Sequence, residues 1–339
     1  MGTGTMNTLV TGSSGFIARF LIPALAAKEH AVTGIDKRIG PAFGGYFRFV
    51  HGNILDDNAV DSAMREVDLI IHLAAEHKDF GVPESLYYQV NVDGTEQLLQ
   101  HASRYQIPNF IFFSSVAVYG DSRVPTHEAL VPAPTSPYGK SKFLAEQRVE
   151  AWAAQAPERK AVIVRPTVIF GPHNYANMYR LIQSLARRRY VGVGDGSNVK
   201  SIGYVENVAA AAVFLRERME PGIEIYNYAD SPHMTTRDLV ASMAKSLRVK
   251  VPSLRIPKPL AVACALPLDV VAKVTKKDFP LTAKRIAKFT DSTHHQADKI
   301  LRAGFRPPYS LEAGIEKTIA WYTADQQAPV RETTGSDAA

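Results

Sequence analysis

Thr8-Leu9-Val10-Thr11-Gly12-Ser13-Ser14-Gly15-Phe16-Ile17-Ala18 is the stretch on which the fold turns. Its first four residues carry no charge and read as a buried strand, and from Phe16 the apolar residues recur at helical spacing. Between strand and helix stand two glycines. Gly12 permits a tight turn, Gly15 lets the backbone approach a pyrophosphate, and Ala18 lets the helix pack closely on the strand. Ser14, Phe16 and Ile17 complete the loop. A glycine loop alone is a weak signal. Here Asp36 closes the next apolar run, 24 residues after Gly12, where the ribose hydroxyls of a dinucleotide need an acceptor. That carboxylate favours NAD, since it would repel the 2′-phosphate of NADP. Lys37 and Arg38 follow at once and offer a phosphate cationic partners, so NADP stays open behind NAD.

Beyond this unit, short apolar runs alternate with helix-period segments. Residues 8–11, 31–35, 46–50, 69–73, 110–113 and 161–164 read as strands, with helices over 16–28, 59–67, 85–105 and 140–154. Strand, helix, strand at this spacing predicts right-handed parallel crossovers. The fold class is therefore α/β, a Rossmann-type doubly wound parallel sheet. After Gly171 the pattern loosens. Two further strands, over 200–204 and 223–229, and a helix starting at Thr236 suit a smaller C-terminal substrate-binding lobe. The division is residues 1–170 for the dinucleotide domain and 171–324 for a partly interleaved lobe. Residues 325–339 read as a polar tail.

The 339 residues are 46% hydrophobic, enough for a large core, and the formal charge of +6 is scattered. The densest basic run, Arg187-Arg188-Arg189, reads as a solvated helix end rather than a nucleic-acid surface. Cys264 is the only cysteine, so no intramolecular disulfide or CxxC metal site exists, which fits a reducing compartment. Met1 to Asn7 carry neither the basic nor the apolar region of a secretion signal. The longest apolar run, residues 259–274, is interrupted by Pro267 and Asp269 and is too short to span a bilayer. It reads as a buried helix or pocket lip, with membrane or partner docking as the lesser reading. The expectation is a cytoplasmic protein with no membrane or nucleic-acid partner.

Tyr138 and Lys142 lie at i and i+4, on one face of a helix preceded by Ser136 and Pro137. An ammonium beside a phenol favours the phenolate, which can take a proton from an alcohol while hydride leaves the same carbon. Such a pair is common by chance. It gains weight from Ser114-Ser115 at the C-terminal end of the fifth strand, the edge where ligands of such sheets bind. Asn53 can read an adenine edge or simply turn the chain after the third strand. Asn174 and Asn177 can offer an amide and a helix N-terminus to a phosphate, or serve as helix caps. His72 and His77 read as part of the cofactor loop, His294-His295 as an exposed pair, and no histidine or carboxylate set has metal-ligand spacing. Glu76 and His77 are candidates for facing the substrate.

With these residues in hand the chain resembles the extended short-chain dehydrogenases/reductases, within the nucleotide-sugar epimerase/dehydratase family. The matching segments are TGSSGFIA (11–18), HLAA (72–75), NVDGT (91–95), SSVAVYG (114–120) and YGKSK (138–142). RP…GP (165–172), YVENV (204–208) and the closing GFRP…WY (304–322) extend the likeness over nearly the whole chain. The resemblance implies Ser115, Tyr138 and Lys142 as catalytic residues. It implies a cofactor surface that includes Asn53, Ile54, Leu73, Ala74, Ala75, Asn91, Ser114, Arg165 and Thr167. Lys200 takes the place of a phosphate-binding arginine, and Arg285 is a second cationic candidate for the diphosphate. Homodimers formed through the helices bearing Asn91 and Tyr138 are a further implication.

Residues after Ser115 narrow the reaction. Dehydratases of this family carry an Asp-Glu pair there and sugar-acid decarboxylases a glutamate, whereas this chain has Val116 and Ala117. Neither can move a proton. A nucleotide-sugar 4-epimerase, which oxidises C4 and returns the hydride to the other face, is the first expectation. A 4-keto-sugar reductase is the second, and a reductase of lipophilic carbonyls the third. A cofactor-sensing protein without catalysis would not need Ser115, Tyr138 and Lys142 together.

Overall fold

In β1 (Thr8–Thr11), Leu9 and Val10 are both fully buried yet belong to different hydrophobic clusters, one on each side of the sheet. The same two-sided burial fills the other central strands, as their unbroken apolar sequences require. The computed structural model describes residues 6–28, 31–78, 81–122, 124–275 and 283–327. After β1 come α1 (Ala18–Ala26), β2 (Val32–Asp36), β3 (Phe47–His51), α2 (Asp57–Ala63) and β4 (Leu69–His72). Next are α3 (Glu84–Tyr88), a π-helical turn (Gln89–Asp93), α4 (Gly94–Arg104), β5 (Asn109–Phe113), a 3-10 turn (Val116–Tyr119), α5 (Pro137–Ala153) and β6 (Lys160–Pro166).

The second half holds β7 (Val168–Phe170), α6 (Asn177–Ala186), β8 (Gly192–Val193), β9 (Val199–Lys200), β10 (Ile202–Tyr204), α7 (Val205–Arg216) and β11 (Gly222–Tyr228). It continues through β12 (Met234–Thr235), α8 (Thr236–Ser246), β13 (Arg255–Ile256), α9 (Lys258–Thr275), α10 (Ala283–Thr290), α11 (Asp298–Arg302) and α12 (Leu311–Gln327). Seven parallel strands form the main sheet in the order β11-β6-β5-β4-β1-β2-β3. The order reverses between β1 and β4, and the crevice at that switch point is where such sheets hold ligands.

α1 and α7 cover one face through Leu21, Leu25, Ala209 and Ala212. α2, α4 and α5 cover the other through Val60, Leu98, Val149 and Trp152. A third cluster, with Ile182, Tyr204, Met243 and Ile315, is the core of the lobe. Caps fix the helix starts the site depends on. Ser136 Oγ accepts from Gly139 N at 3.1 Å with Pro137 at the first helical position, so α5 begins three residues earlier than the periodicity predicts. Thr235 caps α8, its Oγ1 accepting from Asp238 N at 3.1 Å and donating to Asp238 Oδ2 at 2.6 Å.

Four sequence expectations change. The helix expected over 85–105 is interrupted at Asn91 by the π-helical turn, a local widening that hydropathy does not encode. The strand expected over 200–204 splits at Ser201, β9 pairing with β12 and β10 with β7. β11, read as part of the lobe, joins the main sheet beside β6. Of the expected tail, residues 325–327 finish α12 and residues 328–339 lie outside the described residues.

A buried ion pair locks α5 onto the sheet. Arg165 on β6 donates Nε and an Nη to the two oxygens of Glu146 at 2.9 and 2.6 Å, and its other Nη to the Tyr119 hydroxyl at 2.9 Å. Glu146 is fully buried and Arg165 is 2% exposed. Glu146→Gln, which leaves the guanidinium buried without its countercharge, is expected to cost about 3–5 kcal/mol. Urea unfolding measures it, and a loss below about 1 kcal/mol would show the pair to be expendable.

Candidate active site

Gly12 is held at φ +68°, and a Cβ there would stand 2.8 Å from the amide nitrogen of Ala74. The loop between β1 and α1 thus lies directly on the Leu73–Ala75 segment leaving β4. Gly15 N donates to Gly12 O at 2.9 Å, closing the turn. Asp36, at the end of β2, accepts from the backbone amides of Ser14 and Arg38 at 3.1 and 2.9 Å, which seats its carboxylate beside the loop. Ser13 Oγ and Ser114 Oγ, at the C-terminal ends of β1 and β5, are buried with no protein partner. A glycine cradle, a fixed carboxylate and two orphaned hydroxyls fit a dinucleotide laid across this crevice. Ser14, Phe16 and Ile17 would flank its pyrophosphate. Lys37 and Arg38 follow Asp36, and Leu73–Ala75 border the crevice, while Ile54 lies in the core beside Gly94.

Beneath the crevice runs a buried polar relay. Ala74 N donates to Thr11 Oγ1 at 3.2 Å, and Thr11 Oγ1 meets His72 Nδ1 at 2.7 Å. His72 Nε2 meets Thr95 Oγ1 at 3.0 Å, and Thr95 Oγ1 donates to Asn91 O at 2.6 Å. Thr95 spends its proton on Asn91, so Nε2 must carry a hydrogen. Burial, then the nearby Lys142, hold the ring's pKa well below the ordinary 6.5. The ring is therefore neutral, and Nδ1 accepts from Thr11.

Asn91, on the π-helical turn, clamps two elements. Its Oδ1 accepts from Glu76 N at 2.8 Å, and its Nδ2 donates to Glu76 O at 3.0 Å and Ser141 Oγ at 2.9 Å. Ser141 Oγ in turn donates to Tyr138 O at 2.9 Å. Glu76 turns its carboxylate back on the backbone amides of His77 and Lys78. The Tyr87 hydroxyl donates to Lys78 O, and the Tyr87 ring lies 6.3 Å from that of Tyr138. Asn91 is thus a positioning residue, fully buried.

Ser115 caps the 3-10 turn by accepting from Ala117 N at 3.1 Å. That turn packs on α5 because Gly139 has no side chain, a Cβ there standing 2.4 Å from Ala117 O. The contact brings Ser115, Tyr138 and Lys142 to one edge of the sheet. Lys142 is 1% exposed, its Nζ 4.1 Å from the centre of the Phe112 ring. Burial pushes it down to about 7 against the opposing pull of Glu146. A phenol and a poised buried ammonium on one helix can move a proton to and from a substrate hydroxyl.

The remaining candidates are scattered over both halves of the chain. Asn53 is exposed and accepts from Leu55 N, a turn geometry. Asn174 is likewise a turn residue, bonded to Ile169 O and Ala176 N, while Asn177 is exposed in the first turn of α6. Arg165 spends its donors on Glu146 and Tyr119, and Thr167 donates to Ser201 O at 2.6 Å. Lys200 donates to Asp291 O at 2.6 Å, and burial lowers it to about 8. The Arg285 side chain lies outside the described residues. His294 and His295, read as an exposed pair, are half-buried. His295 stacks on Tyr119 and bonds Thr126, and burial drives it down to about 4. The relay residues Thr11 and Thr95 and the ion-pair residue Glu146 escaped the sequence reading. Only a hydroxyl or carboxylate on an otherwise apolar face would have marked them.

Residues 8–229 match the NAD dependent epimerase/dehydratase family. An N-acetyl-alpha-D-glucosaminyl-diphospho-ditrans,octacis-undecaprenol 4-epimerase of Escherichia coli O157:H7 is 36% identical over 316 residues, 93% of this chain and 95% of that protein. A dTDP-D-glucose 4,6-dehydratase of Mus musculus is 26% identical over 346 residues, 95% of this chain and 90% of the other. In fold, the chain is similar to a UDP-glucuronic acid 4-epimerase from Bacillus cereus solved in complex with NAD. The TM-score is 0.75 at 23% identity, covering 94% of this chain and 99% of that one.

The buried lysine makes a pH-dependent prediction. Its folded pKa of about 7 lies below the ordinary 10.5. Between those values the unfolded chain holds a proton that the folded chain has shed, so this group's contribution to stability rises with pH across the window. Below about 7 the full burial cost is carried. In cofactor-free protein, Lys142→Met is expected to gain about 2 kcal/mol at about pH 6, with the gap to wild type closing toward pH 10. Denaturant unfolding across pH checks it; a variant less stable than wild type at low pH would contradict it.

Proposed function

The chain belongs to the NAD dependent epimerase/dehydratase family, and we propose that it is a 4-epimerase of a sugar carried on a diphosphate. The observation that carries this reading is the turn after Ser115. Its first side chains, Val116 and Ala117, are hydrocarbon, so the Ser115 edge holds no acid or base for removing water or carbon dioxide from the ring. What remains is Tyr138 and Lys142 on α5, which suffice for a proton at a hydroxyl. NAD, held by the Gly12–Gly15 loop and Asp36, would supply a hydride acceptor for C4 and the means of its return. Tyr138 accepts the C4 hydroxyl proton as the carbonyl forms and returns it as the alcohol is restored. Lys142 holds the phenolate, and Ser115 donates to the same oxygen. Inversion needs the 4-keto ring to turn over between the two transfers, while Lys200 and Asn177 keep the diphosphate in place.

Asp36, seated beside the glycine loop, favours NAD over NADP. The nucleotide-linked hexoses are the first substrate class. A polyprenyl diphosphate carrier is the second reading, favoured by the 36% identity to an undecaprenyl-linked 4-epimerase. A second copy of the chain, docked through α5 and its exposed Leu144, is the proposed partner.

Proton NMR of purified protein, without added cofactor, on UDP-linked and polyprenyl diphosphate-linked hexoses and N-acetylhexosamines tests the reading. The C4 epimer is expected to appear with no net change in NADH absorbance. Tyr138→Phe is expected to keep its NAD and lose turnover by about 10²–10⁴-fold. No conversion across the panel, with NADH oxidised only when a 4-keto sugar is supplied, would instead make the protein a keto-sugar reductase.

A further inference from the structure

Helix α9 presents the solvent with a face that a soluble protein has no reason to expose. Pro259, Leu260, Ala263, Cys264, Leu266 and Pro267 are all exposed, and at helical spacing they form one face. Leu260 and Leu266 are each 55% exposed, and Leu254, just before β13, is 65% exposed. None of the six is charged. The opposite face packs Ala261 and Ala265 against Ile286 of α10 and against Val193 and Ile256 of the lobe. The helix is therefore amphipathic in an unusual sense: its inner face is held by small residues and its outer face is oily. The sequence reading of this stretch as a buried helix or pocket lip holds, among the described side chains, only for the face of Ala261 and Ala265.

Two further observations say what covers that face. Residues 258–288 hold seven basic residues against two acidic ones, so this stretch carries most of the +6 charge of a chain whose other charges nearly balance. Among the described residues no helix is long and apolar enough to cross a membrane. An oily helix in a basic stretch, too interrupted to span, is suited to lie in the headgroup layer of an anionic bilayer. The helix also begins close to Lys200. Lys258 Nζ bonds Asp291 Oδ1 at 2.6 Å, and Asp291 O accepts from Lys200, the cation proposed for the diphosphate.

We propose that α9 docks the enzyme on an anionic membrane surface, with the diphosphate site turned to a sugar whose carrier lipid stays in the bilayer. The inference rests on the lipid-carrier reading of the site given above. A bilayer fits better than a second copy, because two such basic stretches would repel across a shared interface.

Flotation of the full chain with phosphatidylglycerol/phosphatidylethanolamine vesicles tests it, phosphatidylcholine vesicles being the control. The protein is expected to float with the anionic vesicles and to be partly released by salt. Leu260→Glu combined with Leu266→Glu is expected to lower the bound fraction about tenfold or more, with NAD retention and melting temperature unchanged. Protein that stays in the soluble fraction, or a double variant that floats as well as wild type, overturns the proposal. So does a double variant whose size in vesicle-free light scattering falls, since the face would then be an interface between copies. Flotation needs no turnover. Protein that floats but epimerises nothing supports docking while sinking the 4-epimerase reading, and protein that epimerises but never floats does the reverse.

Discussion

A neutral imidazole buried beneath the sheet is the constraint on which the site hangs. His72 joins β1, through Thr11, to α4, through Thr95, and Thr95 passes the chain of hydrogen bonds to Asn91. Each polar atom in this relay is satisfied by the next, so the cost of burying it is recovered only if all of them keep their places. Asn91 then fixes both the Glu76 backbone and, through Ser141, the first turn of α5. The position of Tyr138 is thus set by contacts that begin on the opposite side of the cofactor crevice.

Lys142 shows the complementary logic. Where the relay is internally satisfied, this ammonium is buried over an aromatic ring at a cost the fold must carry. The Glu146–Arg165 pair a turn further along α5 supplies the rigidity that keeps the helix seated in spite of it. Proposed chemistry and structural chemistry therefore alternate along one helix face, Tyr138 and Lys142 being the proposed catalytic pair and Glu146 committed to the fold.

How much of this could be read from the chain depends on the kind of information each part needs. Two-sided apolar strands, the glycine loop and the Asp36 spacing are local patterns, and the doubly wound sheet follows from them. The Tyr138–Lys142 spacing is local too. What could not be read is what depends on partners far apart in sequence: the His72–Thr95 bond, the Arg165–Glu146 pair, and the passage of β11 into the main sheet. Arg165 illustrates the difference, a residue placed on the cofactor surface by likeness whose donors are taken up by a glutamate 19 residues away. Asn53 and Asn174 show the reverse, since their turn roles need only neighbours two to five residues distant.

The recruitment of β11 shapes how the chain comes into being. Residues 1–170 contain six of the seven main-sheet strands, but β6 has no outer neighbour until residues 222–228 arrive. α7, which packs on α1 and closes one face, also comes from the later part of the chain. During synthesis the first half therefore waits as an open-edged sheet with one side covered by α1 alone, the state in which strands pair with the wrong molecule. The dinucleotide half is not a detachable module, and the lobe's first segment is, in topological terms, a long loop drawn out between two neighbouring strands.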